Sequence, residues 1–96
     1  MGEFVEELTI EQMEEGKVVV KELDKKVLTK GAWATILYRY QEIDRRTGEY
    51  KAPAARIVRY RKLKGQYRPN SKFNISSAKQ ALEIAKTLEE WFVEKA

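Results

Sequence analysis

The chain contains no cysteine and no histidine. The first absence excludes disulfides, thiolate metal sites and a cysteine nucleophile. The second removes the commonest general base and the commonest metal ligand. A zinc finger, a Ser-His-Asp triad and a Cys-His dyad are all out of reach. Proline occurs twice and glycine five times in 96 residues, which leaves little linker material, and no repeat or low-complexity stretch is present. No run approaches the roughly 18 apolar residues of a membrane span. The first residues are acidic, unlike a signal or transit peptide. With no oxidative signature either, a cytoplasmic protein is the expectation.

What is present suffices for one small domain with one modest core, since 43% of residues are hydrophobic. The net charge of +4 hides a segregation. Residues 1–16 carry six glutamates and no lysine or arginine, giving −6. Residues 17–75 carry sixteen Lys/Arg against five Asp/Glu, giving +11, and residues 76–96 carry three lysines against four glutamates, giving −1. A basic middle beside an acidic segment points to a polyanionic partner, most simply nucleic acid. The competing reading is a merely solvated surface, and the interleaving of cations with aromatics weighs against it.

The charge step divides the chain into an acidic N-terminal arm, residues 1–16, and a domain over residues 17–96. In the arm, Thr9-Ile10-Glu11-Gln12 has capping-box spacing and Phe4, Val5 and Leu8 make one apolar stripe, so a short helix and an unstructured arm both fit. Beyond Gly16 the pattern becomes that of strands. Val18-Val19-Val20 opens one strand, Asp24-Lys25-Lys26 reads as a turn, and Val27-Leu28-Thr29-Lys30 as a second strand before a bend at Gly31. Residues 33–43 give the clearest strand, with Ile36, Tyr38 and Tyr40 alternating against Trp33, Thr35, Leu37 and Arg39. Turn chemistry fills residues 44–49, with Gly48 suited to a positive φ. In residues 56–63, Ile57, Arg59, Arg61 and Leu63 share one face. Residues 64–72 read as a loop on composition, and Phe73-Asn74-Ile75 as a short strand. Ser76 is the expected N-cap of a helix running to about residue 94. That helix carries Ala78, Ala81, Leu82, Ala85, Leu88 and Phe92 at helical spacing, widened by Ile84 and Trp91, a stripe broad enough to cover the sheet and meet a second subunit. The class is α+β: a twisted antiparallel sheet of about four strands, then one long helix.

Little here carries reaction chemistry. Asp24, Asp44 and Glu49 lie in expected turns, where acidic residues serve the backbone, and nothing around them is set to tune a carboxylate. Ser76 and Ser77 are helix caps with no partner base except lysine, and isolated Gly48 and Gly65 make no phosphate-cradling loop. The expectation is a non-enzyme without metal or other cofactor. The remaining signal is basic and aromatic: Tyr38-Arg39-Tyr40, Arg59-Tyr60-Arg61-Lys62, then Lys64, Tyr67, Arg68 and Lys72. Single-stranded nucleic acid is held in just this way, by cations along its backbone and aromatic faces against its bases. Alternation forbids Arg39 and its tyrosine neighbours from sharing a face; the arginine-bearing face is expected to meet solvent, while Ile36, Tyr38 and Tyr40 fit core and ligand contact equally.

Lys30-Gly31-Ala32-Trp33 leading into Ile36-Leu37-Tyr38-Arg39-Tyr40, followed by Arg56-Ile57-Val58-Arg59-Tyr60, resembles the strand core of the transcriptional positive cofactor four family and its small bacterial relatives. Lys72-Phe73-Asn74-Ile75-Ser76 resembles that family's last short strand and helix start. The similarity spans about residues 17–93 and rests on element order and scattered residues; purine-rich-element-binding repeats and plant whirly proteins share the plan. The chain departs from the family in a long 64–72 segment, in lacking a glycine-rich approach to the last strand, and in its acidic arm. The resemblance implies a homodimer that binds single-stranded DNA or RNA, DNA being favoured, with little sequence preference, in transcription, replication or repair. Carried over by position, nucleic-acid contacts fall on Trp33, Arg39, Arg59, Arg61, Lys62, Lys64, Arg68 and Lys72, with Ile84, Leu88, Trp91 and Phe92 at the dimer interface. The alternative is a protein-interaction or assembly module that uses the helix face. The acidic arm is then either without order or a competitor lying across the basic face.

Overall fold

The computed structural model describes residues 4–93. A short 3-10 turn, Val5–Glu7, precedes five strands and a helix: β1 (Gln12–Glu14), β2 (Lys17–Thr29), β3 (Trp33–Glu42), β4 (Ala54–Leu63), β5 (Gln66–Ile75) and α1 (Ala78–Phe92). The strands form one antiparallel meander in chain order, β1-β2-β3-β4-β5. The class is α+β, a curled antiparallel sheet followed by a single C-terminal helix.

Two hairpins close with the same two-residue turn. Glu15-Gly16 and Lys64-Gly65 both have positive φ at each residue, 51° and 78° in the first, 52° and 80° in the second. Such turns match the natural twist of paired strands. The second one converts residues expected to be loop into β5, a full ten-residue strand paired with β4 from Leu63↔Gln66 to Ala55↔Ile75. Pro69 is accommodated because β5 is an edge strand and its register slips beside that residue, where no ladder N–H is required. The expected turn at Asp24-Lys25-Lys26 is also absent. All three residues pair with β3, and bulges at Leu23 and Leu28 carry β2 through. Each bulge resets the alternation by one residue, which breaks the period-2 pattern without breaking the strand.

The sheet has a covered inner face and an open outer face. Ala34, Ile36, Tyr38, Val58, Tyr60 and Tyr67 form the inner core, and Tyr40, Ile43, Val19 and Val20 continue it toward β1. Ile36, Tyr38 and Tyr40 are thus core residues. The cover comes from the described residues ahead of β1: Val5 and Leu8 are buried against the cluster, and Lys25 Nζ donates to the Glu6 and Leu8 carbonyl oxygens at 2.8 and 2.6 Å. No helix starts at Thr9. Its hydroxyl instead donates to Glu22 and accepts from the Glu11 amide, while Glu11 accepts from the Glu22 amide, so the chain is held along β2 and enters β1. Tyr67 anchors the far end by donating to the Gly31 carbonyl at 2.6 Å, which ties β5 to the β2–β3 turn.

The N-cap of α1 is Ser77, one residue later than expected. Its hydroxyl accepts from the Gln80 amide, and Gln80 Oε1 accepts from the Ser76 amide, a reciprocal pair. The larger difference concerns packing. α1 does not cover the sheet: it leans on the body mainly at β5, and none of its residues is buried.

Candidate nucleic-acid interface

Antiparallel partners point to the same side of a sheet, so the registers place the outer-face side chains in rows. One row runs Trp33, Arg61, Arg68 across β3, β4 and β5. The next runs Thr29, Thr35, Arg59, Ser71, followed by Lys26, Leu37, Ile57, Phe73 and then Asp24, Arg39, Ala55, Ile75. The outer face therefore carries five cations on an aromatic and aliphatic floor. Trp33 is half-buried at one end of the face, with the Arg59 guanidinium 4.2 Å and the Arg61 guanidinium 5.3 Å from the ring centroid. Both are within cation–π range, which orients the arginines and the indole together.

Two electrostatic features distinguish this face. Arg61 and Arg68 are direct cross-strand partners, an arrangement of like charges that destabilises a sheet unless something neutralises it. Among the described residues, none of Arg39, Arg59, Arg61, Arg68 or Lys26 has a carboxylate within salt-bridge distance; the ion pairs present are Lys30–Glu6, Arg45–Glu14 and Arg46–Asp44, away from these rows.

Of the eight residues expected to contact nucleic acid, Trp33, Arg39, Arg59, Arg61 and Arg68 share this face. Lys62 and Lys72 pair with Tyr67 and Val58 and so stand on the inner side, where Lys62 Nζ lies 5.3 Å from the Tyr67 ring. Lys64 sits at the tip of the β4–β5 turn. Two outer-face residues were missed by sequence reasoning. Phe73 is half exposed (51%) beside Ile57, and Lys26 flanks Leu37. Irregularities in the ladder hide both: counted from the Lys64-Gly65 turn alone Phe73 would fall opposite Arg56 on the inner side, and the slip at Asn70 turns it outward, while a bulge in β2 does the same for Lys26. The acidic segment lies on the opposite side, with Val5 and Leu8 in the inner core, so over its described residues it does not cover the arginine rows. Among those residues no cluster of three metal-ligating side chains exists.

On α1, Ile84 is half-buried, while Leu88, Trp91 and Phe92 are 46%, 71% and 77% exposed. At the foot of the helix a cleft of about 780 Å³ opens between Ala78 and Ala81 and the sheet residues Leu37, Ala55 and Ile75, with Arg39 and Lys26 on its rim. No helix of the described residues is long and apolar enough to cross a membrane. Comparison of the chain with protein-family models, with curated proteins and with solved structures gives no match.

Proposed function

We propose that the chain is a single-stranded nucleic-acid-binding protein, DNA being the favoured ligand, that works as a homodimer in the cytoplasm in transcription, replication or repair. The observation that carries this reading is the Trp33–Arg59–Arg61–Arg68 cluster, a group of unpaired arginines around an accessible indole on an open sheet face. Phosphates meet the guanidiniums as charge-assisted, two-pronged partners. Bases stack on Trp33 and Phe73, each stack contributing about 1–3 kcal/mol. Neither interaction reads base edges, so sequence preference is small. Duplex binding through a helix in the major groove fits poorly, because α1 carries three glutamates against two lysines.

Five outer-face cations on phosphates give a salt slope of about −3.5 per chain, at roughly 0.7 per contact for single strands. Titrating a labelled oligonucleotide across salt concentrations measures it. Arg59→Ala combined with Arg61→Ala is expected to weaken binding to every sequence and flatten the slope by about 1.4. Affinity indifferent to salt, or a double variant that binds like the parent, overturns the reading. A second reading, a protein-interaction or assembly module, is favoured by the exposed Leu88, Trp91 and Phe92. A gel-shift panel of single-stranded DNA, duplex DNA and RNA separates the two, since the module shifts none of them.

A further inference from the structure

The cleft at the foot of α1 exists because both of its sides are built from small residues. β4 and the loop before it contribute Ala55 and Pro53, and the first turns of α1 contribute Ala78 and Ala81. A helix normally packs on a sheet through large side chains that fill the space between them. Here small residues on both sides leave about 780 Å³. That volume is within the roughly 300–1,000 Å³ of sites that take small organic ligands.

The lining specifies the chemistry of the ligand. Leu37, Ala55 and Ile75 make the sheet side apolar. Tyr38 is the one aromatic residue of the lining, and it has no solvent-accessible surface, so no ring face is offered to a nucleobase or other planar group. The body that fits is aliphatic. The polar end is set by Arg39 and Lys26, both exposed and, among the described residues, without a carboxylate within salt-bridge distance. Asp24 is the cross-strand partner of Arg39, yet its carboxylate accepts from the Lys25 amide at 2.8 Å instead of pairing with the guanidinium. The same Asp24 disfavours a doubly charged head group at this rim, whereas a single carboxylate suits the two-pronged guanidinium.

We propose that the cleft binds an aliphatic monocarboxylate, its chain between Ala55 and Ala81 over Leu37 and its head group on Arg39 and Lys26. The site stands independently of nucleic-acid binding. One consequence rests on that reading: Arg39 and Lys26 belong to the outer-face cations, so the carboxylate withdraws them from phosphates, and ligand and nucleic acid oppose each other reciprocally.

Sodium decanoate, titrated calorimetrically below its micellar concentration, is the probe. Saturable binding at a single site per chain is expected. Decyltrimethylammonium, a similar chain with the opposite charge, is expected not to bind. Arg39→Gln, a change at an exposed position, is expected to weaken decanoate roughly tenfold or more through loss of a charge-assisted pair. Ala81→Leu fills the cleft at little cost to the helix and is expected to weaken decanoate as much, with an unchanged thermal melt as evidence of folding. Absence of saturable decanoate binding, equal binding of the cation, or undiminished binding by either folded variant overturns the proposal. Saturating decanoate is also expected to flatten the salt slope of a labelled oligonucleotide by about 1.4, and an unchanged slope overturns the coupling. An oligonucleotide that does not bind at all removes the nucleic-acid reading and leaves the calorimetric result standing.

Discussion

Tyr38 and Tyr60 meet at the centre of the inner core, hydroxyl to hydroxyl at 2.7 Å, each almost without solvent contact. Burial is the main cause that pushes both phenols above their ordinary value; for Tyr38 the bond to Tyr60 adds to the rise, whereas for Tyr60 the bond to Tyr38 offsets part of it. The sign of the linkage follows. The folded chain keeps protons that the unfolded chain releases, so stability is full below the unfolded tyrosine value of about 10 and falls as pH rises beyond it. Thermal melts from neutral to strongly alkaline pH are expected to show this decline. Tyr38→Phe leaves the Tyr60 hydroxyl buried without its partner, at a cost of about 1–3 kcal/mol, while the double phenylalanine variant recovers part of the loss and shows a shallower alkaline decline. Denaturant titration of Tyr38→Phe, Tyr60→Phe and the double variant completes the cycle, and equal costs for single and double variants contradict it.

At the scale of elements, β3 and the outward arginines of β4 were legible because an unbroken alternation states both the strand and its two faces. β2 was legible only in pieces, because two bulges shift the phase of its alternation within one continuous strand. β5 was hidden for another reason: Gly65, Pro69, Asn70 and Ser71 are loop residues by composition, and only pairing with β4 makes them a strand. The local clue was Lys64-Gly65 between two alternating runs. Gly65→Ala tests how much that turn contributes. An added Cβ meets nothing within 4 Å, so the whole cost is conformational, about 1–2 kcal/mol for an alanine held at φ +80°. A loss in that range by urea denaturation is expected; a neutral result shows that β5 pairs without its turn. The position of α1 was not legible, because a wide apolar stripe serves equally to cover a sheet or to meet another helix, and periodicity does not name the surface it meets.

At the scale of the whole molecule, Val5 and Leu8 of the acidic segment pack on the side of the sheet opposite the basic face. Composition sets the first sixteen residues apart, yet Val5 and Leu8 complete the core and β1 extends the sheet. A charge step therefore divides the sequence without dividing the fold. Leu8→Ala is expected to cost about 2–5 kcal/mol, a large share of the roughly 5–15 kcal/mol that holds a domain together. Removal of residues 1–10 is expected to prevent folding. Nucleic-acid affinity of the folded Leu8→Ala protein is expected to match that of the parent, because the segment lies away from the arginine rows. A gain in affinity from Leu8→Ala contradicts this placement.

The slip in β5 beside Pro69 bears on how the protein behaves in crowded solution. β5 is one of the two margins of the sheet, and a long unpaired margin is a template on which further chains add and filaments grow. Pro69 offers no N–H to an incoming strand, the slipped register breaks the regular spacing that such a strand needs, and Arg68 and Lys72 repel a like-charged copy. Residues that look like a loop in the sequence thus serve the sheet by ending its growth at this margin.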